Sequence, residues 1–326
     1  MTTQNKLPFQ KIIDELQDSG QELSRRSLQD FSDIDSASLR ALLEAWPHIQ
    51  PDRKRTLLEG LQSLADSDTL VSFDDFARAM LNDDDPQVRA RAIRLLDECD
   101  DAKLVPTFIK ILNEDADENA RAEAAFALGK YVELGELEEV SEAIQRQAED
   151  ALLAKENSDD KLNVRRNALE SLGYSSRPEV ATLIESAFRR ENPDWQASAL
   201  LAMGFSADER WEEDVLARLD DNNPRVQLAA VQAAGQLGLA SARLTLLKLL
   251  EDIQDDDVAS AAIWSLSQIG GEDVRAYIEN LLDQIEDDEQ IEFLEEALDN
   301  LAFTEDLNRF DFMSIDTDEL DTDSEE

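Results

Sequence analysis

NDDDPQVRARAIRLLDE, residues 82–98, opens on a knot of acids, passes through a proline, and then places Val88, Ala92 and Leu96 at every fourth position. Asp85 has a short side chain that can accept hydrogen bonds from the free amides of a first helical turn. Pro86 suits the first helical position, where a missing N–H costs nothing and a fixed φ helps. A spacing of four puts Val88, Ala92 and Leu96 on one face. The stretch therefore predicts a capped helix with a narrow apolar stripe.

The same spacing returns in NARAEAAFALG (119–129), NVRRNALESLG (163–173), DWQASALLAMG (194–204), RVQLAAVQAAG (225–235) and DVASAAIWSLS (257–267). The anchors Val88, Ala120, Val164, Trp195, Val226 and Val258 are separated by 32, 44, 31, 31 and 32 residues, periods that signal a solenoid. Three residues before each anchor stand Asp85, Asp117, Lys161, Asn192, Asn223 and Asp255, all but the lysine good N-caps. Pro86, Pro193 and Pro224 follow in three copies. Four residues after the anchor every copy has alanine: Ala92, Ala124, Ala168, Ala199, Ala230 and Ala262. A small residue in mid-stripe lets another helix cross closely. Gly129, Gly173, Gly204, Gly238 and Gly270 lie near the expected helix ends and are read as left-handed stops. Behind each motif helix comes a second amphipathic segment, at 103–112, 179–188, 211–219, 241–250 and 273–282. The unit is a pair of antiparallel helices, and because one pair cannot bury its apolar face alone, neighbouring pairs must stack. The expected fold is all-α, a solenoid of stacked helix pairs.

The pattern D-x-x-V-R-x-x-A-x-x-x-L-G followed by a second helix resembles HEAT repeats, in particular the bacterial HEAT-like repeats of the phycobilisome lyase type, over roughly residues 80–283. The resemblance implies the fold and says little about activity. It also implies a polar ladder between an Asp in the turn and the Arg after the anchor. Arg89, Arg121 and Arg165 fit that ladder, whereas Gln196, Gln227 and Ala259 depart from it, so no continuous ladder is expected in the later repeats.

Residues 1–81 read as an N-terminal helical capping region with degenerate repeats, 82–283 as the HEAT-like repeats, 284–303 as a C-terminal capping helix, and 304–326 as an acidic disordered tail. The second repeat is longer than the rest, and residues 133–163 supply an extended second helix and a charged loop. Residues 276–326 hold twenty acids and one base, Arg309. Interleaved apolar residues in the tail, Phe310, Phe312, Met313 and Ile315, make it a candidate partner-binding segment. Folding onto a partner, folding back onto the chain's own groove and a purely solubilising role all remain open.

The formal net charge of −44 argues against nucleic acid, whose phosphates require Lys and Arg. It makes basic proteins the natural electrostatic partners, although acidity for solubility or for a salty cytoplasm reads equally well. The start lacks the regions of a signal peptide, and no run of about eighteen apolar residues occurs; a cytoplasmic location without membrane contact is expected. The single Cys99 can form no internal disulfide, and the single His48, followed by Ile49, excludes imidazole-built zinc or di-iron sites such as the His-Glu pairs of HEAT-repeat deoxyhypusine hydroxylases. No G-x-S-x-G, P-loop or G-x-G-x-x-G occurs. No catalytic, metal or cofactor residue is assigned, and no cofactor is expected. The sequence reads as a non-enzymatic protein-binding scaffold with a basic protein as favoured partner. The alternative, carried by the resemblance, is a lyase or chaperone of a chromophore- or cofactor-bearing protein. The sequence leaves the oligomeric state open.

Overall fold

The structure, a computed structural model, describes residues 9–18, 23–158 and 160–318, with side chains as far as 307, residue 252 excepted. Among the described residues there are eighteen α-helices and no strand. The chain packs into two compact units, Met1–Leu172 and Gly173–Glu326, so the repeat array expected over 82–283 is divided between them.

Unit 1 holds α1 (Phe9–Gln17), α2 (Arg25–Gln29), α3 (Ser36–Ala45), α4 (Pro51–Ser67), α5 (Asp74–Met80), α6 (Pro86–Arg94), α7 (Val105–Glu114), α8 (Glu118–Glu136), α9 (Glu142–Glu156) and α10 (Leu162–Leu172). Unit 2 holds α11 (Pro178–Phe188), α12 (Pro193–Phe205), α13 (Glu212–Leu216), α14 (Pro224–Gln236), α15 (Arg243–Asp252), α16 (Asp256–Ile269), α17 (Glu272–Leu282) and α18 (Asp288–Asp318). The motif helices, with α4 before them and α18 after, form a first row, α4, α6, α8 and α10 in unit 1 and α12, α14, α16 and α18 in unit 2, with each member packed on the next within its unit. The intervening helices form a second row.

Local sequence explains where these helices begin. Asp85, Asp117, Asn192, Asn223 and Asp255 each accept a hydrogen bond from a backbone amide two or three residues ahead, which satisfies donors the helix itself leaves free. A second acid just upstream braces three of these caps: Asp83, Asp115 and Asp221 accept the backbone N–H of Asp85, Asp117 and Asn223 at 2.8–2.9 Å.

All six motif alanines are fully buried. Helical glycines let neighbouring first-row helices approach closely. A Cβ on Gly129 would lie 2.9 Å from the Cβ of Ser171, one on Gly204 3.0 Å from the Cα of Ala233, and one on Gly235 2.6 Å from the Cα of Ser265. Hydrogen bonds seal the crossings: Ser171 Oγ donates to the Phe126 carbonyl at 3.3 Å, and Ser265 Oγ to that of Val231 at 2.8 Å. This corrects the reading of Gly129 and Gly204 as left-handed stops, since both are helical and small because another helix lies against them. Gly238 and Gly270, with φ of 60° and 83°, do take the left-handed region after α14 and α16.

Two further expectations change. The long repeat extends α8 to Glu136 before the turn into α9, so its extra length is shared by both helices. In the segment 304–326 expected to be disordered, residues 304–318 belong to α18, because Phe303, Leu307, Phe310 and Met313 continue the apolar spacing of a helix. Residues 319–326 lie outside the described residues.

Candidate functional site

Arginines of the motif join successive pairs of unit 1. Arg89 donates to both carboxylate oxygens of Asp115 at 2.6 and 2.7 Å and to the Asp83 carbonyl at 2.8 Å. One repeat later Arg121 does the same with Asp160, at 2.6 and 3.0 Å, and with the Asp115 carbonyl at 2.8 Å. Arg55 of α4 adds an earlier rung to Asp85 at 2.8 Å, so a helix from the region read as a degenerate cap joins the ladder. Arg165 instead donates to the Glu156 carbonyl at 2.7 Å. Burial alone would raise the Asp160 carboxyl, but hydrogen bonds from Arg121, the Lys161 amide and Lys155 together outweigh it and hold the group well below the usual carboxylate range. Asp115 is lowered in the same way, burial being overcome by Arg89 and the Asp117 amide. In unit 2 the ladder position is taken by an amide, Gln227, whose Nε2 donates to the Leu219 carbonyl at 3.0 Å. The ladder fixes repeats to one another and leaves the outward faces of the helices open for function.

Those outward faces follow a second stripe, two, six and ten residues after each anchor. In α8 it reads Ala122, Phe126, Lys130, and in α6 and the turn after it Ala90, Arg94, Glu98. Phe126 is 47% exposed and lines a hollow of about 350 Å³ with Ile93, Arg94, Asp97, Glu123 and Asn167. Charge surrounds it, and Arg94 pairs with Glu123 across the helices. Burial and the neighbouring Glu98 push the Asp97 carboxyl up.

In unit 2 the same stripe has a different character. It reads Ala197, Leu201, Phe205 in α12, Leu228, Gln232, Gln236 in α14 and Ser260, Trp264, Gln268 in α16. All of these but Ala197, with Phe293 of α18, line a groove of about 690 Å³ across the first row, within the size range of ligand sites. Aromatic packing positions its walls: Tyr174 stacks on Phe205 with ring centroids 4.6 Å apart, and Trp264, 38% exposed, leans on Phe293 at 6.5 Å. Asp257 is the one ionisable residue in the lining. First-row helices approach closely, whereas α13, α15 and α17 scarcely touch one another, and the groove lies on the first-row side of unit 2.

The tail candidates Phe310, Phe312, Met313 and Ile315 fall on α18, and their side chains lie outside the described residues. Sequence reasoning followed the buried stripe and the tail and missed Phe205, Gln232, Gln236, Trp264, Gln268 and Phe293. The signal for most of them was present in the outward positions, where charge disappears after α10. Cys99 is buried, with Arg78 Nη2 3.1 Å from its sulfur. No group of three or more His, Cys, Asp or Glu that could hold a metal occurs among the described residues, and no described helix is long and apolar enough to cross a membrane.

The sequence model described as HEAT repeats matches residues 74–154 and 212–302, together more than half of the chain. Comparison with curated proteins gave no match. Similar solved structures include the complex of CpcE and CpcF of phycocyanin lyase from Nostoc sp. PCC7120, at 22% identity over 70% of this chain and 94% of that one, TM-score 0.47. Yeast importin-β is 13% identical over 90% of this chain and 46% of its own length, TM-score 0.43. Human deoxyhypusine hydroxylase is 15% identical over 80% and 95%, TM-score 0.34.

Proposed function

We propose, from the premise that this chain belongs to the HEAT-repeat family, that it is a non-enzymatic scaffold that holds another protein against the first-row face of unit 2. The observation that carries the reading is the groove over α12, α14, α16 and α18, walled by Phe205, Trp264 and Phe293 and with a single carboxylate in its lining. Exposed apolar surface of this kind marks a binding site, and one isolated carboxylate supplies no acid–base pair for chemistry. A net charge of −44 draws basic partners towards the chain and speeds their encounter, while the groove supplies the short-range contacts. The apolar positions Phe310, Phe312, Met313 and Ile315 on α18 are proposed as a second, auxiliary contact.

Capture with the full chain and with a Trp264→Glu variant, followed by cross-linking and mass spectrometry, tests the reading. Cross-links on α12, α14 and α16 that vanish with the substitution are expected. Capture that Trp264→Glu leaves intact, with cross-links confined to the second row, would overturn it.

A further inference from the structure

Resting on the groove as the docking site, we propose that its occupant is an extended peptide segment, apolar at its centre and flanked by Lys or Arg, whose backbone is held by the amides of Gln232, Gln236 and Gln268.

Three observations lead there. The first is length. The groove crosses four first-row helices, and at roughly 9 Å between helix axes this is about 27 Å, or about eight residues of extended chain. The second is hydrogen-bonding capacity. Gln232 and Gln236 stand one turn apart on α14, and Gln268 follows on α16. None of the three side-chain amides bonds to another of the described residues. Each carries both donor and acceptor atoms, and an extended backbone presents both. A helical segment has its backbone groups already paired and would leave the amides unused.

The third is charge. In a chain of −44 the groove floor is neutral, so it accommodates apolar side chains between Phe205, Trp264 and Phe293. Acids return at its margins: Asp257 opens α16, and the exposed Glu289 and Glu296 stand on the same face of α18 as Phe293. A segment with cations at its ends and none at its centre matches that distribution, and an acidic segment is repelled by it.

A displayed library of random twelve-residue peptides, selected on the full-length chain and counter-selected on Trp264→Ala, tests the proposal. Enriched peptides are expected to place aromatic or branched apolar residues between Lys or Arg. Their binding is expected to weaken about tenfold or more with Trp264→Ala, and about threefold or more with Gln232→Ala or when the central backbone amides are N-methylated. Circular dichroism of both variants establishes that they fold as the parent does. No enrichment, enrichment of acidic sequences, or indifference to N-methylation overturns the proposal. If whole-protein capture remains dependent on Trp264 in that event, the scaffold reading stands and only the extended-segment occupant is lost; if capture too is indifferent to Trp264, both fall.

Discussion

Gly235→Ala is the substitution that most directly tests the close helix approach. In an isolated helix alanine is favoured over glycine by about 0.8–1 kcal/mol, so local propensity says the variant should gain stability. Tertiary structure says the reverse. The new Cβ would stand 2.5 Å from Gln268 Oε1, 2.6 Å from Ser265 Cα and 2.7 Å from Ser265 Cβ. The glutamine amide can swing aside, but the Ser265 backbone is part of α16 and is tied to α14 by its 2.8 Å bond to the Val231 carbonyl. Relief requires the two helices to separate, and overpacking of this kind costs about 1–3 kcal/mol. Less the propensity gain, a net loss of about 1 kcal/mol and at most about 2 remains. Gly60→Ala is the matched comparison, since its Cβ meets only the flexible end of Leu28, at 3.0 Å for Cδ1 and 3.3 Å for Cδ2. It should be neutral or stabilising by roughly 0.5 kcal/mol. Urea unfolding followed by circular dichroism reads both. If Gly235→Ala proves as stable as the parent or more so, the close crossing does not constrain position 235 and the account of the first row is wrong.

Four other outcomes are expected. Arg121→Ala should destabilise unit 1 by about 2 kcal/mol, less than a fully buried pair because Arg121 and Asp160 are each 13% exposed. The folded-state value of the Asp160 carboxyl is depressed, so its stabilisation is present above the ordinary unfolded value of about 3.9 and is lost as pH falls through the folded one; the gap in unfolding midpoint between parent and Asp160→Asn should close as pH is lowered below about 4, and a gap that widens would contradict the ladder assignment. Partner capture should weaken steeply between low and moderate salt, because exposed charges are screened beyond about 10 Å at 0.1 M; capture indifferent to salt would remove the basic partner from the proposal. Truncation after residue 303 keeps Leu294, Ala297 and Leu301 in the core and gives up the 2.8 Å Arg275–Glu305 pair, so stability should change by less than about 1 kcal/mol, and capture lost with the tail would move the main contact from the groove to 304–326.

The fold could be read from the sequence because its determinants are local and repeated. Ala92 or Ala230 in mid-stripe recurs in every copy, an Asp or Asn cap such as Asp85 or Asn223 in five of six, and a proline such as Pro86 or Pro224 behind it in three, so the period exposes them. The glycines were harder, since a left-handed stop and a close crossing ask for the same residue, and only the position of Ser171 or Ser265 on the next helix separates them. The groove was missed for a related reason. Binding residues on a repeat surface break the repeat, and Arg94, Phe126, Gln232 and Trp264 share an offset without sharing a chemistry. What identifies the site is the loss of charge along that offset in α12, α14 and α16, a property of three helices side by side that no single motif contains. The division after Leu172 has no counterpart in the motif spacing, which continues at 31 residues from Val164 to Trp195.

The uneven spacing of the two rows also has a mechanical consequence for unit 2. Glycine and alanine bring α12, α14 and α16 into backbone contact, while α13, α15 and α17 barely meet. A bending load therefore turns each pair about its first-row crossing, as a leaf turns on its hinge, and the strain is taken up by the gaps of the second row. The surface that carries Trp264 and the three glutamines lies at the pivot, where lengths change least. Its register would hold steady while the opposite surface flexes, which lets one side of a compliant stack serve as a fixed template.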